Sequence, residues 1–232
     1  MATFVMVHGS WHGGWCWKRV VPFLTMNGHE VHTPTLSGCG EHAHTATRQI
    51  DLNAHVEDIR AYLFLHDLAD VILVGHSYAG MVITGAVDVI PQRIARLVYF
   101  DAFVPQDGDS LAALLGMRRA PNAAGSPWLT PAPPPAQLGV TMDVDSSWLA
   151  ARLTAAPAGP AYSTLHLHTD AAARVPKSYI RCREGLDRML RFAEQARRAH
   201  WDYHELDAGH DAMVTKPHAT AEVMLAIAAL RV

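Results

Sequence analysis

The chain has 232 residues, 50% of them hydrophobic and 18% charged, with a formal net charge of −3. That apolar content suits one large domain over residues 1–232, with room for an insertion. The near-neutral balance gives no electrostatic pull toward nucleic acid or an anionic membrane, so neither is an expected partner.

The opening MATFVMVHG carries no basic segment and no long apolar run, so neither a signal peptide nor a membrane span is expected. Cys16, Cys39 and Cys182 form no CxxC pair. They read as free thiols of a reducing compartment, which makes the expected location cytoplasmic.

TFVMV at 3–7 is a short apolar run ending at His8-Gly9, the composition of a buried strand. WCWKRVVPFLTMNGHE reads as a short helix closed by Asn27-Gly28, and EVHTP as a second strand stopped by Pro34. Residues Leu36 to Gln49 are polar and glycine-containing, a loop. After Asp51, Leu52, Val56, Ile59 and Leu63 recur at spacings of 4, 3 and 4, marking an amphipathic helix. VILV (71–74) is the third strand, residues 78–90 the next helix, and ARLVYF (95–100) the fourth strand. Strands alternating with helices imply parallel pairing, with helices on both faces of the sheet.

Residues 105 to about 175 then hold most of the prolines, much alanine, and Trp128 and Trp148. So long a stretch without regular structure is foreign to a compact domain, so a partly helical insertion over the sheet is expected. Alternation resumes with the strand KSYIRC (177–182) and a helix whose apolar face is Leu186, Met189, Leu190 and Ala193. WDYHELD (201–207) is the last strand, and Thr215-Lys216-Pro217 opens a final helix with Val223, Ile227 and Leu230 inward. The expected fold class is α/β, with six strands, mostly parallel, flanked by helices.

Ligands gather at the carboxyl ends of parallel strands. Four of these ends carry chemistry: His8-Gly9-Ser10, Ser77, Asp101 and Gly209-His210. GHSYAG around Ser77 fits the nucleophile-elbow pattern G-x-S-x-G, with Ala79 in place of the last glycine. A phosphate-loop reading fails because Met81 and Val82 stand where the lysine and hydroxyl residue belong. His210, just past the last strand, is the candidate base. Asp101, Glu184 and Asp187 are candidates for the acid that orients it, while Asp207 suits a local cap. The backbone N–H groups of Ser10 and Tyr78 are the candidate oxyanion donors. Trp11, Tyr78, Phe103, Trp128 and Trp148 are candidates to line an apolar substrate pocket.

FVMVHGSWHGGWCW, GHSYAGM and AGHDAM together resemble the α/β-hydrolase superfamily. The similarity is to the branch of plant hydroxynitrile lyases, plant methylesterases and their bacterial esterase relatives. It implies a hydrolase core without the two leading strands of larger members, with residues 105–175 as a cap over the pocket. The lyases use a first-loop threonine and a lysine after the catalytic histidine, where this chain has Gly9 and Asp211. A carboxylate does not stabilise leaving cyanide, which turns the expectation away from lyase chemistry. The plant members place the triad aspartate where this chain has Gly185, whereas VYFDAFVP resembles haloalkane dehalogenases, with the acid directly after the preceding strand. Asp101 is therefore the expected acid, with Glu184 the alternative.

HLHTD (166–170) begins like a dinuclear-zinc signature, and HAH (42–44) offers further ligands, but Ala171 replaces the final histidine. No metal and no cofactor are expected. The expected activity is serine-dependent cleavage of a small hydrophobic or aromatic carboxylic ester, with carbamates, amides and lactones open to the same attack. The alternatives are a lyase-type or carbon–carbon bond-cleaving enzyme on the same fold, or a small-molecule receptor that retains the triad. No repeat or heptad pattern speaks to oligomeric state.

Overall fold

The computed structural model describes residues 1–117 and 127–230. Its strands are β1 (Thr3–Val7), β2 (Glu30–His32), β3 (Val71–His76), β4 (Ile94–Phe100), β5 (Leu129–Thr130), β6 (Ala156–Pro157), β7 (Lys177–Cys182) and β8 (Asp202–Leu206). Six of them make one sheet in the order β2-β1-β3-β4-β7-β8, with every neighbouring pair parallel.

All six residues of β3 are buried, because a central parallel strand is covered on both faces. Successive side chains leave a strand on opposite sides, and β1 follows this rule. Val5 and Val7 join one core with Leu73, Leu97 and Tyr99, while Phe4 and Met6 join the other with Ile72, Val74 and Val98. The helices before the insertion are α1 (Val21–Met26), α2 (Leu52–Leu65) and α3 (Ala79–Val89). Asp51 caps α2 by accepting the Ala54 N–H at 2.9 Å, and Leu52, Val56, Ile59 and Leu63 face the first core as the spacing requires. Pro22 lies in the first turn of α1, where its missing N–H costs nothing.

Between β4 and β7 the described residues form four short helices, α4 (Leu111–Leu114), α5 (Asp143–Ala150), α6 (Gly159–Tyr162) and α7 (Ala171–Arg174). It also forms an antiparallel β5–β6 pair, which the sequence reading did not anticipate. Residues 118–126 of this expected cap lie outside the described residues.

The last helices are α8 (Leu190–Arg198), α9 (Ala212–Thr215) and α10 (Pro217–Ala229). Two expected inward residues point outward: Leu190 is 50% exposed and Leu230 40%. Leu186 and Met189 belong to a turn before α8; Met189 and Ala193 are buried as expected, and the helix adds Phe192 and Ala196 to its buried face in place of Leu190. Leu230 is the extended residue that ends α10, whose buried face is Thr220, Ala221, Met224 and Ile227. Among the described residues no helix is long and apolar enough to cross a membrane.

Candidate active site

Ser77 is the single residue between β3 and the turn into α3 that has a left-handed backbone, at φ +55°. A non-glycine residue there carries strain of about 1–3 kcal/mol, so its neighbours must hold it. Its N–H donates to the Phe100 carbonyl at 3.2 Å, and its own carbonyl accepts from Gly80 and Phe103, each at 3.2 Å. The small residues around it are required by close approach. A Cβ on Gly80 would lie 1.9 Å from the Phe103 carbonyl oxygen, and one on Gly75 would lie 2.7 Å from that of Ala79.

Asp101 follows β4 at φ +41° and is fully buried. Its Oδ2 accepts from His210 Nδ1 at 2.7 Å. Its Oδ1 accepts from Arg181 at 2.7 Å and from the Cys182 N–H at 3.2 Å. Both oxygens are thus committed, as a buried carboxylate requires. The other candidate acids lie elsewhere: Glu184, Asp187 and Asp207 have exposed side chains, and Asp207 pairs with Arg183. Gly185 leaves room for the Asp101 carboxylate. A Cβ there would lie 2.6 Å from Asp101 Oδ2 and 3.0 Å from Arg181, so the missing side chain leaves the space that the Asp101 carboxylate and the guanidinium use.

The His210 ring lies 4.5 Å from that of His76, the residue before Ser77, and His76 Nε2 donates to the His210 carbonyl at 3.1 Å. Burial pushes His76 well below the ordinary histidine range, so it is neutral.

The loop after β1 closes against this rim: a Cβ on Gly9 would meet Ser77 Cβ and His76 Nδ1, both at 3.0 Å. Two buried histidines fix its peptides. His8 accepts the Leu36 N–H on Nε2 at 3.1 Å and donates from Nδ1 to the Gly9 carbonyl at 2.8 Å. Burial drops its pKa to about 3, so that tautomer is permanent. In a trans peptide the N–H points opposite to the carbonyl, so the Ser10 N–H faces away from His8. His12 donates from Nδ1 to the Ser10 carbonyl at 2.8 Å and from Nε2 to Asp211 Oδ2 at 3.0 Å. Both ring nitrogens face acceptors, which makes His12 an imidazolium. Burial opposes that charge, but Asp211 raises its pKa, and His12 in turn holds the buried Asp211 below the usual carboxylate range. Among the described residues no backbone carbonyl accepts from the N–H of Ser10 or of Tyr78.

His12 and Asp211 were not foreseen as a pair; Asp211 was noticed only for standing where the lyases have lysine. They are 199 residues apart, and no periodicity links them. His76, His210 and Asp211 are the one group of metal-type ligands among the described residues, within 4.8 Å of one another. His76 Nε2, His210 Nδ1 and Asp211 Oδ2 bond to the His210 carbonyl, Asp101 and His12, whereas His76 Nδ1 and Asp211 Oδ1 have no hydrogen-bond partner among the described residues. HLHTD serves a different purpose: the N–H groups of His168 and Thr169 each donate to Asp88 at 2.8 Å, tying the insertion to α3.

A cavity of about 390 Å³ is bordered by Gly9, Ser10, Trp11 and Tyr78 on one side and by Leu111, Leu129 and Pro157 of the insertion on the other; it borders Tyr78, the residue after Ser77, but not Ser77 or His210 themselves. Trp11 donates to the Thr130 carbonyl at 3.2 Å, joining the two sides. Three expected lining residues are absent from it. Phe103 is core, packed edge-on against Phe192 at 5.4 Å. Trp128 lies under the Arg48 guanidinium at 5.7 Å. Trp148 sits between Arg19 and Arg152, each at 4.5 Å. These cations take the tryptophan faces that the pocket would have used.

Comparison with known proteins agrees with this architecture. Over 124 residues the chain is 50% identical to a carbendazim hydrolyzing esterase from Nocardioides sp. (strain SG-4G), covering 53% of this chain and 51% of that one. It is 35% identical to methylesterase 8 of Arabidopsis thaliana over 113 residues, 48% and 42% of the two chains. The chain thus spans about half the length of the curated relatives it matches. An extracellular alpha/beta-hydrolase from a Paenibacillus species, described as sharing structural and functional homology with tobacco salicylic acid binding protein 2, superposes with a TM-score of 0.84 at 26% identity. That match covers 97% of this chain and 98% of the other. A methylesterase from Arabidopsis shares the fold, with a TM-score of 0.80 at 21% identity over the full length of both chains. A family model for the alpha/beta hydrolase family matches residues 4–223, and the chain belongs to that family.

Proposed function

We propose that this protein is a serine hydrolase that cleaves a small hydrophobic or aromatic carboxylic ester through an acyl-enzyme on Ser77. The observation that carries this reading is the 2.7 Å hydrogen bond from His210 Nδ1 to the buried Asp101, at the rim where Ser77 is held in its strained turn. His210 Nε2 takes the Ser77 proton as Oγ attacks the acyl carbon, and Asp101 stabilises the imidazolium that forms. The N–H groups of Ser10 and Tyr78 receive the oxyanion, each worth about 3–4 kcal/mol to the transition state. His210 then hands its proton to the leaving alcohol. A water deprotonated by the same imidazole attacks the acyl-enzyme, releasing the acid and restoring Ser77.

The esterases among the relatives support an ester as the substrate. Asp211 supports hydrolysis over cyanide release, since its carboxylate is engaged by His12 and supplies no ammonium. In this reading residues 105–175 are the cap of one α/β-hydrolase domain. Three buried free cysteines suit a reducing, cytoplasmic setting. Ser77→Ala is expected to lower turnover of p-nitrophenyl acetate by at least about 10³-fold with unchanged circular dichroism. Undiminished turnover would overturn the mechanism.

A further inference from the structure

Tyr78 and His55 both border the cavity, and their hydrogen bonds have a fixed direction. The chain starts at Ser37, whose N–H and hydroxyl both donate to Asp58, each at 2.7 Å. The Ser37 carbonyl faces His55 Nε2 at 2.9 Å, and a carbonyl only accepts, so Nε2 carries the ring proton. Burial lowers the pKa of His55, so the imidazole is neutral and Nδ1 is a bare lone pair. Nδ1 lies 2.9 Å from the Tyr78 oxygen, and the phenolic proton is therefore the one between them. Burial holds the Tyr78 pKa far above its ordinary value, so the phenol keeps that proton. The hydroxyl has spent its only proton, and what it has left to offer is lone pairs.

We propose that the Tyr78 hydroxyl, polarised by His55 and Ser37, is a one-way acceptor that selects substrates carrying an N–H or O–H donor on the part seated beside it. The substrate class is narrowed from apolar esters at large to esters and carbamates with a phenol, anilide or heteroaryl N–H in their body. This rests on the hydrolase reading above for turnover, but the binding preference follows from the cavity alone. An ether or halogen at the same place would bring a second acceptor against the lone pairs.

The test compares methyl 2-, 3- and 4-hydroxybenzoate with the matching fluoro and methoxy esters. In the unmodified protein, kcat/KM for at least one hydroxy isomer should exceed its fluoro counterpart by about tenfold, the size of one neutral hydrogen bond. Tyr78→Phe removes the acceptor, and His55→Leu frees the phenolic proton to turn outward; in both the hydroxy-to-fluoro ratio should fall toward one, whatever happens to the absolute rates. Equal kcat/KM for all three substituents, or a ratio that survives Tyr78→Phe, would overturn the proposal. Calorimetric Kd values for the same esters on the Ser77→Ala protein give a readout that does not need turnover. There the tenfold preference should persist, and its absence would also overturn the proposal. A binding preference without any hydrolysis by the unmodified protein would instead reject the serine-hydrolase reading.

Discussion

Replacing Asp211 by Asn removes one side of the ion pair behind the loop after β1 and leaves the His12 imidazolium with no counter-charge. The two groups are 3.0 Å apart and both are shut away from water. At an effective dielectric of about 20, Coulomb's law gives roughly 5–6 kcal/mol for that separation. Desolvating both ions consumes most of this, so the intact pair contributes little net stability. Stranding one partner, however, costs about 3–5 kcal/mol. For a chain of this size that corresponds to a fall in Tm of about 10 °C. The pH dependence carries the sign. His12 is raised from 6.5, so its contribution is complete below 6.5 and is lost as pH rises through the raised value. Asp211 is lowered from 3.8, so its contribution is complete above 3.8 and is lost as pH falls through the lowered value. The stability gap between the unmodified protein and Asp211→Asn should be widest between pH 3.8 and 6.5 and should narrow as pH rises through the raised His12 value. Thermal melts from about pH 5 to about pH 9, with kcat/KM on p-nitrophenyl acetate at each pH, measure both consequences. His12→Gln combined with Asp211→Asn should recover part of the lost stability, because no charge is then left alone. A gap that is absent, or that grows with rising pH, would refute the ion-pair assignment.

Asp101→Asn should lower kcat by about 10⁴-fold and also lower Tm, since Arg181 loses its partner; Glu184→Gln, on the surface, should change kcat less than twofold. A steady-state assay of the two variants decides between the two acids. Gly185→Ala would put a methyl group 2.6 Å from Asp101 Oδ2, so it should cut kcat by about tenfold or more, with little change in KM and a lower Tm. Unchanged kcat in that variant would mean that the carboxylate has other room.

The centre of the sheet was legible because its inner strands are buried on both faces and so read as unbroken apolar runs, VILV above all. Strand ends then directed attention to Ser77, Asp101 and His210, since parallel sheets collect their chemistry there. What escaped was whatever depends on facing or on distant pairing. A two-residue ladder such as Leu129-Thr130 with Ala156-Pro157 has no period to detect. The buried face of α8 was legible only in part, because a turn took Leu186 and Met189. Phe103, Trp128 and Trp148 are large and apolar whether they face a core, a cation or a ligand, and composition does not distinguish the three. The His12–Asp211 pair needed the whole fold to bring its two halves together.

The contact between Gly139 and the loop after β8 also bears on how His210 is held. The Asp211 N–H donates to the Leu138 carbonyl at 3.1 Å. Gly139, at φ +76°, lies so close that a Cβ on it would be 2.7 Å from the Gly209 Cα. Backbone rests on backbone there, with no side chain to act as a cushion. This contact and the Asp211–Leu138 hydrogen bond tie the insertion to the segment after β8. A side chain at position 139 would therefore be felt in the segment that carries His210, and through it in the His210–Asp101 hydrogen bond.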